Sequence, residues 1–262
     1  MSCVGFIGTG HLAGFFVEGL SRVRAPYKIV VSPRNAAKSA DLARDFGVAI
    51  APDNQTVVDQ SDLVVVSVLP QDAIKVLEPL RFREGQTVLS VMAGVGLAQL
   101  KALTTPATPV LSLMPGMANV FNVGPSVMFP ENKVAMDFLA WLGPIHSYST
   151  ERQFTAASVM GAFSGMSVLM MRDAINWFEA QGLNQNDARR LVAETLEGNS
   201  HTLLESCLSM DDIARGVVTP GGITELGRKT LDAGGSWADA LDAVFQRVSV
   251  NPPSGSSPDG PE

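Results

Sequence analysis

The feature that most constrains the fold is a glycine-rich turn near the N-terminus. Residues 3–8 form a short apolar run that ends at Gly8, and residues 11–23 carry apolar side chains at helical spacing. The pattern Gly8-x-Gly10-x-x-Ala13 joins the two segments and predicts a strand, a tight turn and a helix. Gly8 permits the turn, Gly10 leaves room for a diphosphate against the backbone, and Ala13 allows close packing of helix on strand. The turn therefore indicates a dinucleotide-binding unit, and the alternative is a strand–helix turn without a ligand.

Strands and helices alternate along the first 150 residues. Apolar runs predict further strands at residues 28–32, 62–68, 86–91, 109–113, 125–129 and 143–148, and helical spacing predicts helices at 36–46, 71–79 and 97–103. The run at 62–68 contains Leu-Val-Val-Val, which is typical of a parallel strand covered on both faces. The alternation predicts a doubly wound parallel sheet of the Rossmann type, whose ligands bind at the carboxyl ends of the strands.

Predicted strands end at about residue 150, and only helices follow. Thr150 is placed to cap a long helix over about 151–181, which Gly182 ends. Further helices are predicted from Asn186 or Asp187 to about 207, and at 209–216, 224–233 and 237–248, the last with Ser236 as its N-cap. We therefore predict an α/β chain with a Rossmann domain over 1–150, an all-helical domain over 151–248, and a flexible tail rich in Pro, Gly and Ser over 249–262.

The composition argues against several classes of partner. The formal net charge is −7, from 26 acidic and 19 basic residues, and no basic stripe would attract a nucleic acid or an anionic membrane surface. Cys3 and Cys207 lie far apart, which predicts free buried thiols and a cytoplasmic protein, and the N-terminus does not have the pattern of a signal peptide. The three histidines do not cluster, so we expect no metal site.

One segment, residues 154–171, carries no charge and raises the question of a membrane span. It is barely as long as the ~20 apolar residues that a bilayer needs, and it contains four hydroxyl side chains and two glycines. We therefore expect a helix that is buried on most sides in a soluble protein.

The end of the second predicted strand bears on the choice of cofactor. Enzymes that use NAD usually have Asp or Glu there to bind the ribose 2′-hydroxyl. This chain has Ser32-Pro33-Arg34-Asn35, and a 2′-phosphate can be bound by Ser32, Arg34 and Asn35 but would be repelled by a carboxylate. The segment predicts NADPH over NADH, unless Arg34 is simply a solvated charge on a loop.

A second glycine-rich turn lies in the helical part, at residues 218–224. Gly221 and Gly222 expose backbone N–H groups, and a helix is predicted to begin near Thr224. Such a corner can bind a carboxylate while the Thr224 hydroxyl donates a hydrogen bond. From the spacing alone, an ordinary turn with Thr224 as the helix N-cap is an equal alternative.

Together these segments resemble the pyrroline-5-carboxylate reductase family over about residues 3–248. The resemblance is carried, in order, by residues 5–13, 53–54, 61–70, 90–95, 114–115 and 217–224. The last segment, Val-Val-Thr-Pro-Gly-Gly-Ile-Thr, matches the family's Ser-Pro-Gly-Gly-x-Thr signature and is the most specific. The resemblance implies a homodimer or a ring of dimers, with an all-helical dimerisation domain after the Rossmann domain.

The resemblance also implies an activity and a set of site residues. NADPH would deliver a hydride to the carbon of a cyclic imine carboxylate, giving a secondary amine such as proline, and Thr224 would donate a hydrogen bond or proton to the imine nitrogen. The expected cofactor-binding residues are Gly8, Thr9, Gly10, His11, Leu12, Ala13, Ser32, Arg34, Asn35, Asn54, Val68, Leu69, Pro70, Ala93, Gly94, Met114 and Pro115. The expected substrate-binding residues are Ser164, Thr219, Pro220, Gly221, Gly222, Ile223 and Thr224.

The chain departs from the family pattern at three places. Gly116-Met117-Ala118 replaces Asn-Thr-Pro, Leu69 replaces a lysine, and residues 163–167 keep only Ser164-Gly165 of a Gly-Ser-Gly-Pro-Ala-like run. These positions are expected near the nicotinamide and the substrate, whereas the phosphate-binding turn is intact. The pattern favours retained cofactor binding with a changed imine substrate.

Two other functions remain as alternatives. The lost Asn-Thr-Pro segment is compatible with an NADPH-binding sensor or an inactive paralogue. A relative that oxidises a 3-hydroxy acid would need a catalytic lysine on the helical domain, where Lys229 is the one lysine after Lys133 and lacks the expected helical motif.

Overall fold

The computed structural model describes residues 2–114 and 116–250, and of residue 250 the backbone alone. The chain divides into two compact units, the first reaching Gly165 and the second starting at Met166. The boundary expected at residue 150 precedes a helix that belongs to the first unit. Of the predicted tail, residues 251–262 lie outside the described residues, whereas 249 and 250 continue the last helix.

A single sheet organises the first unit. Its strands are β1 (Cys3–Ile7), β2 (Lys28–Val31), β3 (Ala49–Ile50), β4 (Leu63–Val66), β5 (Thr87–Ser90), β6 (Thr108–Leu113), β7 (Ser126–Phe129) and β8 (Ile145–Ser147). The spatial order is β3-β2-β1-β4-β5-β6-β7-β8, and the first six are parallel, as in the dinucleotide-binding order 3-2-1-4-5-6. This confirms the predicted Rossmann sheet. The exceptions are β7 and β8, which are parallel to each other and run antiparallel to the other six strands.

Helices cover the connections between these strands. They are α1 (His11–Arg22), α2 (Ala36–Phe46), α3 (Asn54–Gln60), α4 (Ala73–Leu77), α5 (Leu97–Thr104), α6 (Met117–Val120), α7 (Lys133–Leu139) and α8 (Glu151–Ser158), with one 3-10 turn at Pro70–Asp72. The sequence analysis missed β3, α3, α6 and α7. These elements are short, and α3 and α7 depend on side-chain caps: Asp53 accepts a hydrogen bond from the Thr56 N–H, and Asn132 accepts one from the Ala135 N–H.

Both faces of the sheet are covered by apolar side chains. Val65 points to the face that also holds Phe6, Phe16 and Phe138, whereas its neighbours Val64 and Val66 belong to the cluster on the other face. Phe16 stacks on Phe138 with ring centroids 5.8 Å apart. This burial on both sides explains why β4 is apolar at every position, as predicted for a covered parallel strand.

The second unit is entirely helical over the described residues, as predicted. Its helices are α9 (Met160–Ala180, which begins in the first unit), α10 (Gln185–Glu205), α11 (Met210–Val217), α12 (Ile223–Asp232) and α13 (Trp237–Val250). Thr150 caps α8 as expected, but the single helix predicted over 151–181 is divided at Val159 into α8 and α9. Helix α10 begins at Gln185, before the predicted start at Asn186 or Asp187, because the Asn184 side chain caps it by accepting from the Asp187 N–H.

The expectation that residues 154–171 form a buried helix is wrong for the single chain. No described residue of α9 is buried, and Phe163, Met166 and Leu169 are 67%, 60% and 51% exposed. The stretch 151–180 is long and apolar enough to cross a membrane by length and composition, a test that core helices of soluble proteins also pass. Its apolar side chains need cover that the single chain does not provide.

The two cysteines are free in the structure, but they are not both buried. Cys3 is partly buried, and burial raises the pKa of its thiol, whereas Cys207 is exposed. The prediction of buried thiols is therefore wrong for Cys207.

One buried amide fixes the turn after β6. Asn119 is 0% exposed, its Nδ2 donates to the carbonyls of Gly124 and Leu142, and its Oδ1 accepts from the Gly116 N–H at 3.2 Å. We expect Asn119→Ala to lower the free energy of unfolding by about 3 kcal/mol, because three buried backbone groups lose their partner. Chemical denaturation at fixed protein concentration measures this.

The matched control is Asn186→Ala, which removes an exposed amide from the first turn of α10. It should change the free energy of unfolding by less than about 0.5 kcal/mol. Equal effects of the two substitutions would contradict the role given to Asn119.

Candidate active site

The turn at Gly8 is held from two neighbouring strands. The Gly8 N–H donates to Ser32 Oγ at 3.0 Å, and Ser67 Oγ donates to the Gly8 carbonyl at 2.8 Å. Gly8 has φ +97°, and a Cβ there would lie 2.7 Å from the Ser67 carbonyl oxygen. Both the backbone conformation and the close approach therefore require glycine.

Gly10 meets a different requirement. It is the N-cap of α1 with φ −71°, no side chain caps the helix there, and a Cβ on Gly10 would meet nothing within 4 Å. The space in front of the first turn is open, and helix N-termini offer unpaired N–H groups to an anion. The loop therefore has the shape and the donors that a diphosphate needs.

A cavity of about 690 Å³ lies at the carboxyl ends of β1, β2, β4 and β5. It is lined by Gly8, Thr9, Gly10, His11, Leu12, Arg34, Asn35, Ala36, Ser67, Val68, Leu69, Pro70, Asp72, Val91, Met92 and Ala93. This is the edge of a doubly wound sheet at which nucleotides bind. The cavity brings together the glycine loop, the end of β2 and the two loops that follow β4 and β5.

Several predicted cofactor residues lie outside this lining. Ala13 and Met114 are buried in the apolar core, and Asn54 and Gly94 do not line the cavity. Pro115 lies outside the described residues. The sequence analysis also missed the lining residues Ala36, Ser67, Asp72, Val91 and Met92. Ser67 and Val91 directly follow β4 and β5, a position that could have identified them.

Ser32 has a role other than the predicted one. Its side chain is fully buried beneath the glycine loop, where Oγ accepts from Gly8, so it supports the loop and does not line the cavity. Asn35 lines the cavity, and its side chain also caps α2 by accepting from the Lys38 N–H. Of the three predicted phosphate ligands, Arg34 alone combines a cavity position with a positive charge.

Arg34 is paired with a carboxylate that the sequence analysis did not single out. Its Nη2 lies 3.1 Å from Asp72 Oδ2, and the two side chains are 55% and 27% exposed. Asp72 lies in the 3-10 turn after β4, so the pair joins the loops that follow β2 and β4. Arg34 is therefore ion-paired at the cavity, while more than half of its side chain remains exposed to solvent.

The glycine corner of the second unit is partly filled by its own helix. Gly221 has φ +73°, and its N–H donates to Glu225 Oε2 at 2.8 Å. This hydrogen bond and the neighbouring Lys229, 3.2 Å from the carboxylate, hold the pKa of Glu225 below its usual range. The Gly221 N–H that was expected to bind a substrate carboxylate therefore already binds one from the chain.

Thr224 lies in the first turn of α12, where its side chain is exposed in the single chain. The N-cap of this helix is Gly222, so the alternative with Thr224 as N-cap is wrong. Thr219 and Pro220 precede the corner and are exposed, as is Ile223, whereas Ser164 is partly buried on α9. Among residues 2–114 and 116–250, no group of three or more His, Cys, Asp or Glu side chains could hold a metal ion.

The two loop glycines should respond differently to an added methyl group. Gly10→Ala should change the free energy of unfolding by less than about 1 kcal/mol, because its Cβ enters open space at an ordinary φ. The same methyl group would occupy the approach of a diphosphate, and we expect dinucleotide affinity to fall about tenfold or more. Denaturation and calorimetric titration with NADPH measure the two effects.

Gly8→Ala is the contrasting variant. Its Cβ would press on the Ser67 carbonyl at a positive φ, so we expect a loss of about 2–4 kcal/mol in the free energy of unfolding. If Gly10→Ala destabilised the fold as much as Gly8→Ala, or left NADPH affinity intact, the open space at Gly10 would not be the diphosphate site.

Comparison with known proteins places this geometry in a family. Residues 3–94 match the family described as NADP oxidoreductase coenzyme F420-dependent, and residues 151–250 match pyrroline-5-carboxylate reductase dimerisation. The chain is 29% identical to the pyrroline-5-carboxylate reductase of Pseudomonas aeruginosa over 258 residues, which cover 93% of this chain and 94% of that protein.

Solved structures share the fold. The 1-pyrroline-5-carboxylate reductase of Streptococcus pyogenes matches with a TM-score of 0.79 at 21% identity, covering 95% of this chain and 97% of that one. The pyrroline carboxylate reductase of Plasmodium falciparum, solved with NADP bound, matches with a TM-score of 0.78 at 17% identity and covers 95% and 96%. With its Rossmann-like sheet and its all-helical dimerisation domain, the chain belongs to the pyrroline-5-carboxylate reductase family of NAD(P)-dependent oxidoreductases, as a divergent member.

Proposed function

We propose that this protein is an NADPH-dependent reductase of a cyclic imine carboxylate, either pyrroline-5-carboxylate or a related ring. When bound, the dihydronicotinamide supplies a hydride to the imine carbon, and the imine is thereby reduced to a secondary amine. The observation that carries the proposal is the cavity at the carboxyl ends of the parallel strands, which joins an open glycine loop to the side chain of Arg34. The chain's own contribution is to bind, to orient and to donate a proton.

The shape of the loop fits a dinucleotide diphosphate. The place where a Cβ of Gly10 would stand is empty, and the first turn of α1 has no capping side chain. These are the two features by which a Rossmann loop accepts phosphate oxygens. Thr9 and His11 line the cavity beside the loop and add polar side chains.

The choice of NADPH rests on charge at the end of β2. The residues there are Ser32-Pro33-Arg34-Asn35, so no carboxylate occupies the position that binds the ribose of NAD. Arg34 offers a planar guanidinium at the cavity, and such a group binds phosphate through two parallel hydrogen bonds. A 2′-phosphate is therefore attracted to this end of the cavity.

The loops after β4 and β5 contribute mainly apolar side chains. Val68, Leu69, Val91, Met92 and Ala93 line this part of the cavity and have no group that can protonate an imine nitrogen. Such a surface excludes water from the hydride, but the proton must come from another residue. We assign that donation to the exposed hydroxyl of Thr224, which the family signature at residues 217–224 supports.

One observation favours the sensor or inactive paralogue as a second candidate. The Gly221 N–H, expected to bind the substrate carboxylate, is occupied by Glu225. A 3-hydroxy acid dehydrogenase gains no such support, since Lys229 pairs with Glu225 at 3.2 Å.

Steady-state assays with NADPH and a panel of cyclic imines, with and without a carboxylate, separate the candidates. Cofactor binding without turnover of any imine would favour the sensor.

The role of Thr224 can be tested by an isosteric substitution. Thr224→Val keeps the shape of the side chain and removes the hydroxyl that stabilises the nitrogen in the transition state. We expect kcat/KM for the best imine to fall about 100-fold, with the Kd of NADPH unchanged. Steady-state kinetics and calorimetric titration give the two values.

Thr230→Val is the matched control on the same helix. Thr230 Oγ1 donates to the Leu226 carbonyl within α12, so its loss should leave kcat/KM within about twofold. Thr224 has no part in proton donation if both variants turn over like the wild type.

We also propose that the protein works as a homodimer or a ring of dimers assembled through α9. Phe163, Met166 and Leu169 recur every three residues, which places them on one side of the helix, and all three are exposed in the single chain. The match of residues 151–250 to a dimerisation family supports a second copy as the cover for this surface. Burial of such side chains is the main stabilising term in obligate dimers.

A charge in the middle of this surface should separate the subunits. We expect the wild-type chain to behave in light scattering as a dimer or a multiple of it, and Met166→Asp to shift it toward the monomer at micromolar concentration. Gln99→Asp, which adds the same charge at an exposed polar position of α5 in the first unit, should leave the mass unchanged. An unchanged mass for both variants would rule out this surface as the interface.

A further inference from the structure

The charges that line the cofactor cavity are few. Among its described lining residues, Arg34 and Asp72 are the side chains with a full formal charge at pH 7 when histidine is neutral. They follow β2 and β4, and each is contributed by a loop at the carboxyl edge of the sheet. The balance of charge at this end of the cavity therefore depends on one cation and one anion.

The two groups contact each other through a single pair of atoms. Arg34 Nη2 lies 3.1 Å from Asp72 Oδ2, and the arginine side chain is 55% exposed. Asp72 precedes α4, but its carboxylate makes no capping hydrogen bond to that helix. The carboxylate is thus directed to Arg34 and is not needed to begin the helix.

We propose that Asp72 determines how strongly the chain prefers NADPH over NADH, by competing with the 2′-phosphate for Arg34. The inference rests on the proposed function, because it takes NADPH as the ligand of this cavity. A phosphate that displaces Asp72 must break the ion pair between Asp72 and Arg34. The cost of breaking this pair offsets part of the attraction between the phosphate and Arg34. Asp72 therefore lowers the affinity for NADPH.

The same carboxylate has the opposite effect on NADH. An acid near the ribose can accept a hydrogen bond from a free 2′-hydroxyl, as the acid at the end of β2 does in NAD enzymes. Here the sequence after β2 lacks that acid, and Asp72 brings one to the cavity from the neighbouring loop. Asp72 therefore reduces the preference for NADPH over NADH that Arg34 creates.

A positioning effect would act in the other direction. If Asp72 mainly held Arg34 ready for the phosphate, its removal would weaken NADPH binding. An exposed ion pair with one contact restrains a long arginine side chain only weakly, so we expect competition to exceed positioning. The two effects differ in sign, and a binding measurement therefore separates them.

The experiment is calorimetric titration of the full-length protein with NADPH and with NADH. We expect Asp72→Asn to lower the Kd of NADPH about three- to tenfold, to leave the Kd of NADH equal or higher, and so to raise the selectivity at least threefold. Asp59→Asn is the matched control, because it removes the same charge from an exposed position on α3 outside the cavity lining, and it should leave both constants unchanged.

A second background tests the route through Arg34. In Arg34→Met, the gain in NADPH affinity from Asp72→Asn should shrink, because the contested cation is absent. An equal gain in both backgrounds, or a selectivity that is unchanged or lowered by Asp72→Asn, would overturn the proposal. The readout needs no turnover: cofactor binding without imine reduction would count against the proposed reductase alone, and a wild-type chain that binds neither cofactor would overturn both.

Discussion

The geometry of the cavity depends on two hydrogen bonds at Gly8. Ser32 at the end of β2 accepts from the Gly8 N–H, and Ser67 after β4 donates to its carbonyl, so three neighbouring strands are tied together at their carboxyl edge. Ser32 is fully buried, and its hydroxyl would be costly to leave without a partner. The loop is therefore fixed before any ligand arrives, and the open space in front of Gly10 is part of the fold itself.

The sequence predicted the loop and every strand except the two-residue β3, because their signals are local. β4 is apolar at every position since both of its faces are covered, and Gly8 is required by a positive φ. The role of Ser32 could not be predicted, because a serine after a strand is equally compatible with binding the 2′-phosphate and with supporting the glycine loop from a buried position. Asp72 was missed for a related reason: its contact with Arg34 joins residues 38 apart in the sequence and exists only once the sheet has formed.

For helix α9, the burial predicted from composition differs from the exposure observed in the single chain. Its apolar residues led to the expectation of burial, yet Met166 and Leu169 remain exposed. An apolar surface predicts burial, but the apolar residues alone do not identify what buries them. A second copy of the chain is the cover that we propose for this surface, and this is why the mass in solution is as informative about α9 as any feature of its sequence.

Of the three places that were expected to bind anionic groups of the ligands, the glycine loop is open, and the other two are engaged by carboxylates of the chain. Arg34 pairs with Asp72, and the Gly221 N–H binds Glu225, whose pKa is held below its usual range by that hydrogen bond. Because a lowered pKa keeps Glu225 ionised to lower pH, mild acid does not release this internal anion. An incoming phosphate or carboxylate must therefore exchange with, or sit beside, a negative charge that is already present. Selectivity among anions then depends as much on these internal carboxylates as on the groups that attract the ligand.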